Sequence, residues 1–240
     1  MKKILLYSAG LDSWLIDKVW KPTHKLFFRI GTRSNEREYQ LIKHQIEAGL
    51  VDNVEIIDYT LSQFEQPYSN YYLPLRNLHL VLMAAHWADD ETEICLGSVK
   101  GSVHKDNDSK FAKQATKLIN YLFSEQGKQK VKVVVPFENT SKAELLRMYL
   151  EEGGDINKVW NETFSCYQPR DGHECYGCTS CLSKIAAFYF NGFGSFPTTV
   201  VSAFGERDFI SFIKQAIEEN SNKVEKDVLL MYTDLASKGN

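Results

Sequence analysis

Apolar residues along this chain follow two alternating rhythms. Short runs rich in β-branched and aromatic side chains give way to longer stretches in which apolar positions return every three or four residues. The runs at 3–7, 25–29, 53–57, 93–97 and 130–135 read as strands. The stretches between them have helical spacing. Asn35 with Glu38 has the form of a capping box, followed by Tyr39, Ile42 and Ile46 on one face. Leu78, Val81, Leu82 and Ala85 mark a helix over 76–89, and Phe111, Ala115, Leu118 and Leu122 another over 109–126. Ser141 and Glu144 open a helix through Leu145, Leu146, Tyr149 and Leu150 that stops at Gly153-Gly154. Beyond a loop-like stretch at 193–199, residues 207–220 and 223–235 read as a helical tail.

Strand–helix–strand alternation implies crossover connections, hence an α/β fold with a doubly wound, mostly parallel five-stranded sheet covered on both faces. Ligands of such folds bind outside the carboxyl ends of the strands. The loops after Tyr7, Arg29, Gly97 and Val135 should therefore open on one side.

Bulk properties narrow the class without fixing it. A chain of 240 residues holds one large domain, or one with a small appendage. The formal net charge of -3 gives no support for a general nucleic-acid binder. The short apolar run before Ser8 is too brief for a secretory signal, and the stretch at 78–88 is broken by His79 and His86. A cytoplasmic protein without a membrane span is expected. Neither an internal repeat nor a low-complexity linker is visible.

Four of the five cysteines, Cys166, Cys175, Cys178 and Cys181, form a C-x8-C-x2-C-x2-C run. Two C-x-x-C pairs sharing Cys178, with a fourth thiol upstream, suit a closed tetrahedral zinc site, and Gly172 and Gly177 give the turns backbone freedom. The alternatives are a disulfide or buried free thiols, and His173 can stand in for one thiolate. The odd fifth cysteine and the absence of a secretory segment argue for a reducing compartment. A closed shell leaves no position for substrate, so one structural Zn2+ per chain is expected.

Ser8-Ala9-Gly10-Leu11-Asp12-Ser13 lies between the first strand and the first helix. A small-residue turn there lets backbone N–H groups approach an anion at a helix N-terminus. Ser8 and Ser13 can donate to phosphate oxygens, and Asp12 can hold Mg2+. The spacing fits neither a Walker A loop nor a dinucleotide fingerprint. A plain strand–helix turn is the alternative.

The hexapeptide resembles the S-G-G-x-D-S pyrophosphate loop of the PP-loop ATPases, with Ala9 in place of the first glycine. Alanine fits there if the position does not need positive φ. Three further segments resemble one branch, the 7-cyano-7-deazaguanine synthases of the QueC family. Leu73-Pro74-Leu75-Arg76-Asn77 is similar to its P-G-R-N segment. Pro136-Phe137 with Thr140-Ser141-Lys142-Ala143-Glu144 is similar to its P-L…T-K-A-E segment. Ser165-Cys166-Tyr167 with Cys175-x-x-Cys178-x-x-Cys181-Leu182 is similar to its S-C-Y…C-G-x-C-x-x-C-L segment. In order, these matches run from Lys3 to about Gly192.

The resemblance implies an adenine nucleotide alpha hydrolase-like domain at 1–160, a four-cysteine zinc segment at 161–192, and a helical extension at 193–240. It implies an ATP-dependent ligase that converts 7-carboxy-7-deazaguanine and ammonia to the nitrile through an adenylated intermediate. Residues 8–13 would hold ATP with Mg2+, with Asp12 and Lys142 catalytic. A lysine in a helix first turn opposes the macrodipole by ~0.3–1 kcal/mol, which suits a residue aimed at phosphate charge; a solvated lysine is the alternative. Arg33, Arg76 and Asp106 are the candidates for binding the deazapurine carboxylate. The alternatives are surface arginines and a solvated acidic loop. A homodimer is expected, with no nucleic acid or membrane as partner.

Two segments depart from the family. Its Y-G-Q-R-H is here Ile30-Gly31-Thr32-Arg33-Ser34, which keeps the glycine and arginine and loses the histidine. Its V-N-x-x-D-Y-S-G-Y-P-D-C-R loop is here residues 98–108, shorter by about two. A family relative with another carboxylate or a protein amine as acceptor, and a non-catalytic nucleotide-binding subunit, are the competing readings.

Overall fold

The structure, a computed structural model, describes the chain outside residues 66–72, 90, 102–104, 127–129, 167–168, 170–172, 194–208, 221–223 and 239–240, and the side chains of Arg33, Ser34, Gln126, Phe209 and Lys238. Gly172, Tyr167, the centre of the 98–108 loop and most of 193–199 therefore lie outside the described residues. Two compact units divide the chain, Met1–Ser141 and Lys142–Asn240.

The first unit is built on five parallel strands, β1 (Lys2–Leu6), β2 (His24–Arg29), β3 (Val54–Asp58), β4 (Glu91–Cys95) and β5 (Lys130–Val134), in the order β3-β2-β1-β4-β5. The chain moves outward from β1 to β3 and then returns to the other side of β1 for β4 and β5. Strand polarity and order are those of a doubly wound sheet whose direction switches between β1 and β4. Register places Ile4 beside Ile94 and Ile94 beside Val133, so alternate residues line one face.

That face carries Ile4, Leu26, Phe28, Ile94, Val131 and Val133, packed with Val81 and Ala84 of α3 (Arg76–Ala84) and Ala112, Ala115 and Ile119 of α4 (Ser109–Phe123). The opposite parity supplies Leu5 and Phe27, which are also buried. Trp14 and Leu15 of α1 (Leu11–Trp20) and Ile42 of α2 (Arg33–Glu47) are among the most buried residues of the chain. A sheet apolar on both sides is the expected result of covering both faces with helices.

The helices read from periodicity form, with shifts at their ends that have local causes. The stretch at 76–89 becomes α3 plus a single 3-10 turn, Ala85–Trp87, and the stretch at 109–126 becomes α4 plus a turn at Ser124–Gln126. Asp108 caps α4 by accepting the N–H of Phe111 at 2.7 Å. Asn35 does not cap α2, because the helix already starts at Arg33 with Thr32 as its N-cap. Its amide is used elsewhere, as described below.

The second unit opens with α5 (Lys142–Glu151), which stops where expected: Gly153 at φ 86 and Gly154 close its last turn with N–H bonds to the Leu150 and Tyr149 carbonyls. A Cβ on Gly154 would sit 2.2 Å from the Tyr149 ring, so any larger residue there would displace that ring. A short helix, α6 (Ile156–Glu162), follows under an Asp155 cap. The central element is α7 (Thr179–Tyr189), buried from Cys181 to Phe188. It packs on α5 and on α9 (Lys226–Lys238), which also meets α8 (Phe209–Glu219). Trp160, Phe188 and Phe193 add an aromatic cluster with ring centroids 4.9–5.3 Å apart. No helix among the described residues is long and apolar enough to cross a membrane.

Candidate active site and metal centre

At the switch point, β1 runs into Ser8 and α1 begins at Leu11. The turn is closed internally. Ser13 Oγ accepts the Ser8 N–H at 3.2 Å, lies 3.3 Å from Ser8 Oγ, and donates to the Gly10 carbonyl at 3.1 Å. Asp12 stands in the first turn of α1, where a helix concentrates N–H donors and partial positive charge. The loop leaving β4 runs close alongside, since a Cβ on Gly97 would lie 3.9 Å from that of Ser13. Ser8 to Ser13 thus occupy the crevice the topology reserves for a ligand.

Ala9 corrects one expectation. Alanine fits this turn without penalty only if positive φ is not needed, yet Ala9 has φ 57 and is fully buried. A left-handed alanine costs roughly 1–2 kcal/mol. The same substitution recurs. Leu75, at φ 58, and Tyr176, at φ 54, also stand where the quoted family segments have glycine. Gly31, which the chain keeps, has φ 76.

Arg33 is the first residue of α2, beyond β2, and its side chain lies outside the described residues. Arg76 opens α3 and is exposed. Asp106 is partly buried at a cleft of about 570 Å³, walled by Leu75, Leu78, Phe111, Ala115 and Leu118, with Lys105 and Gln114. An apolar cleft with one carboxylate suits a flat heterocycle that offers N–H donors. Lys142 is the first residue of α5, in the second unit.

Asn35 and Glu38, whose spacing has the form of a helix cap, have another role in the structure. The Asn35 amide oxygen accepts the N–H of Ile30 at 2.7 Å, and its Nδ2 donates to the Phe28 carbonyl and to Glu38 Oε2, both at 3.1 Å. This clamp fixes the loop that leaves β2. Burial pushes the Glu38 carboxyl up to about 7, against the lowering effects of the Asn35 hydrogen bond and the Arg76 charge. A carboxyl titrating near neutrality at the carboxyl edge of the sheet had no signal in the sequence beyond its helical position.

In the second unit the four cysteines converge, with all Sγ atoms within 4.8 Å of one another and Cys175 Sγ 4.0 Å from Cys181 Sγ. Zinc–thiolate bonds of about 2.3 Å in a tetrahedron require S···S separations of about 3.8 Å, so the donors fit Zn2+. The Cys175 and Cys178 N–H groups already point at sulfur, toward Cys166 Sγ at 3.2 Å and Cys175 Sγ at 3.3 Å. Hydrogen bonds among the thiols, with Cys166 foremost, hold Cys175 well below the ordinary thiol range. They lower Cys178 to about 7. Cys166 and Cys181 are pushed up, first by hydrogen bonds in which they keep their protons and donate to neighbouring sulfurs, and then by burial. All four cysteines are free of disulfides, and His173 is exposed and outside the cluster. The fifth cysteine, Cys95, is buried in β4, where desolvation raises its thiol.

A doubly wound parallel sheet with a serine–aspartate turn at its switch point, followed by four converging thiols that could hold a metal ion, defines the class as an α/β protein. A family model described as "Queuosine biosynthesis protein QueC" matches residues 20–192, well over half of the chain, and the chain belongs to that family. It is 30% identical over 129 residues to a 7-cyano-7-deazaguanine synthase of Leptospira interrogans, covering 51% of each. It is 25% identical over 222 residues to 7-cyano-7-deazaguanine synthase 2 of Sulfurisphaera tokodaii, covering 80% of this chain and 46% of that protein. It is 25% identical over 213 residues to a 7-cyano-7-deazaguanine synthase of Thermoplasma acidophilum, covering 78% and 87%. The chain spans about half the length of the first two relatives and most of the third.

Proposed function

We propose that the protein is an ATP-dependent ligase that converts 7-carboxy-7-deazaguanine and ammonia into 7-cyano-7-deazaguanine. The reading is supported above all by the Ser8–Ser13 turn at the switch point of a QueC-family chain. The substrate carboxylate oxygen attacks the α-phosphorus of ATP and pyrophosphate leaves. Ammonia adds to the acyl carbon and AMP departs, giving the amide. The amide oxygen then attacks the α-phosphorus of a second ATP with release of pyrophosphate, and departure of AMP with loss of both N–H protons gives the nitrile.

In this reading Ser8, Ser13 and the N–H groups of residues 9–13 hold the phosphates. Asp12 would hold the Mg2+ that travels with ATP, an ion that screens phosphate charge. Lys142 offsets charge developing on the phosphates as pyrophosphate leaves. Arg33 and Arg76 bind the carboxylate as forked donors, and Asp106 accepts N–H bonds from the guanine-like edge. Cys166, Cys175, Cys178 and Cys181 would hold one structural Zn2+. Residues 1–160 then serve nucleotide chemistry, 161–192 the metal, and 193–240 form an extension of a cytoplasmic homodimer.

Incubating the pure protein with ATP, ammonia and the carboxylate, read by mass spectrometry, tests this. Nitrile is the expected product. AMP without nitrile would replace it with a relative using another carboxylate or a protein amine as acceptor, and absence of AMP with a non-catalytic nucleotide-binding subunit.

A further inference from the structure

The four thiols come from separate stretches of chain: Cys166 beyond α6, Cys175 and Cys178 in a turn, and Cys181 in α7. One side chain ties these stretches together. Lys184, one turn beyond Cys181, is 2% exposed. Its ammonium donates to the Thr163 carbonyl at 2.7 Å, to Glu174 Oε2 at 2.9 Å and to the Trp160 carbonyl at 3.4 Å. It also lies 5.0 Å from the centre of the Trp160 ring. Three protons thus meet three acceptors. Glu174, itself 8% exposed, uses its second oxygen to accept the Ser165 N–H at 2.5 Å.

The sequence positions give this network its meaning. Glu174 immediately precedes Cys175 and Ser165 immediately precedes Cys166. The carboxylate therefore joins the two arms of the metal loop, while Lys184 joins both to the helix that carries Cys181. A buried ion pair is seldom more stabilising than well-packed apolar residues of similar volume, because desolvating both charges offsets their attraction. What apolar replacements cannot supply is direction: three acceptors and one N–H fixed at defined points. We infer that Lys184 and Glu174 are positioning residues for the metal centre, holding the Cys166 and Cys175 arms in register so that the four thiols converge on one point. The inference rests on the four thiols being a zinc site.

The test uses the full chain, with zinc affinity measured by competition against a chromophoric chelator and geometry read from Co2+ absorption. The double substitution K184M/E174L replaces the pair by apolar side chains. It should melt close to wild type in excess zinc yet bind zinc 10–100-fold more weakly, the range typical of outer-shell partners. Its cobalt d–d bands should lose intensity and shift from the tetrahedral positions. Wild-type zinc affinity and cobalt spectrum in the double variant would overturn the inference, reducing the pair to packing. If the double variant does not fold, E174Q decides: a tenfold loss of affinity supports positioning, and an unchanged affinity sinks it. Wild-type protein that takes up neither zinc nor cobalt would remove the metal reading itself, a failure distinct from that of the pair.

Discussion

The two units hold their chemistry in opposite ways. In the first, the serine–aspartate turn joins a strand and a helix of a sheet whose core is supplied mainly by other residues, so its polar groups are carried by the fold rather than filling it. In the second, the reactive groups are themselves core. Cys166, Cys175 and Cys181 are buried, α7 is buried from Cys181 to Phe188, and among the described residues of this unit the only buried charges are the Lys184–Glu174 pair. A site on a finished fold can be disabled without unfolding it, whereas a site that is the core cannot.

The largest expected effect lies in the second unit. Stripping zinc with a strong chelator, or the C166S/C181S substitution, should remove on the order of 10 kcal/mol of apparent stabilisation and unfold that unit. Loss of α-helical circular dichroism should be only partial, since the first unit persists. A chelated protein that melts like the untreated one would erase the contrast. Next in size, D12A should lower AMP formation by ~10²–10³-fold or more while leaving the thermal melt unchanged. Full turnover in D12A would make the turn structural.

The third effect is a pH dependence confined to the first unit. The Glu38 carboxyl is raised from 4.5 to about 7 in the folded protein, so the fold keeps a proton that the unfolded chain releases. Its contribution is fully present below pH 4.5 and is lost as pH rises through 7. Denaturant titrations of wild type should show stability falling by on the order of 2 kcal/mol between pH 5 and 8, and E38Q should flatten that slope. Identical slopes would place the Glu38 proton elsewhere.

The smallest effect compares two left-handed residues directly. A9G relieves backbone strain and loses only a methyl group, and should stabilise the first unit by about 0.5–1 kcal/mol after the entropy of the added glycine. Y176G relieves the same strain but gives up a ring stacked on Trp160 at 6.3 Å, 4° from parallel. Its net change should be zero or a loss of about 0.5 kcal/mol. Paired melts give both numbers, and equal gains in both variants would mean the Tyr176 stack contributes nothing.

Periodicity exposed what depends on near neighbours in the chain. The strands, the helix ending at Gly153-Gly154 and the convergence of four cysteines are all local in sequence, and all were legible. Features set by distant partners were not. Asn35 looks like a cap because its spacing to Glu38 is right, but Thr32 starts the helix and frees the amide to clamp Phe28 and Ile30. Nothing near Lys184 in sequence marks it as buried, because its partners lie 10 to 24 residues away. The seven residues of α6 are too few to show a period. Ala9 hid its conformation for a different reason, since side-chain identity biases φ without dictating it.

That last point bears on how such chains are recognised at all. At Ala9, Leu75 and Tyr176, where the family segments quoted above have glycine, the backbone adopts a left-handed bend without it. A signature spelled in amino-acid letters scores this chain down three times, at the phosphate turn, the start of α3 and the cysteine loop. In torsion angles, all three positions share one left-handed bend. The path of the main chain thus states at these three positions a bend that the amino-acid letters do not.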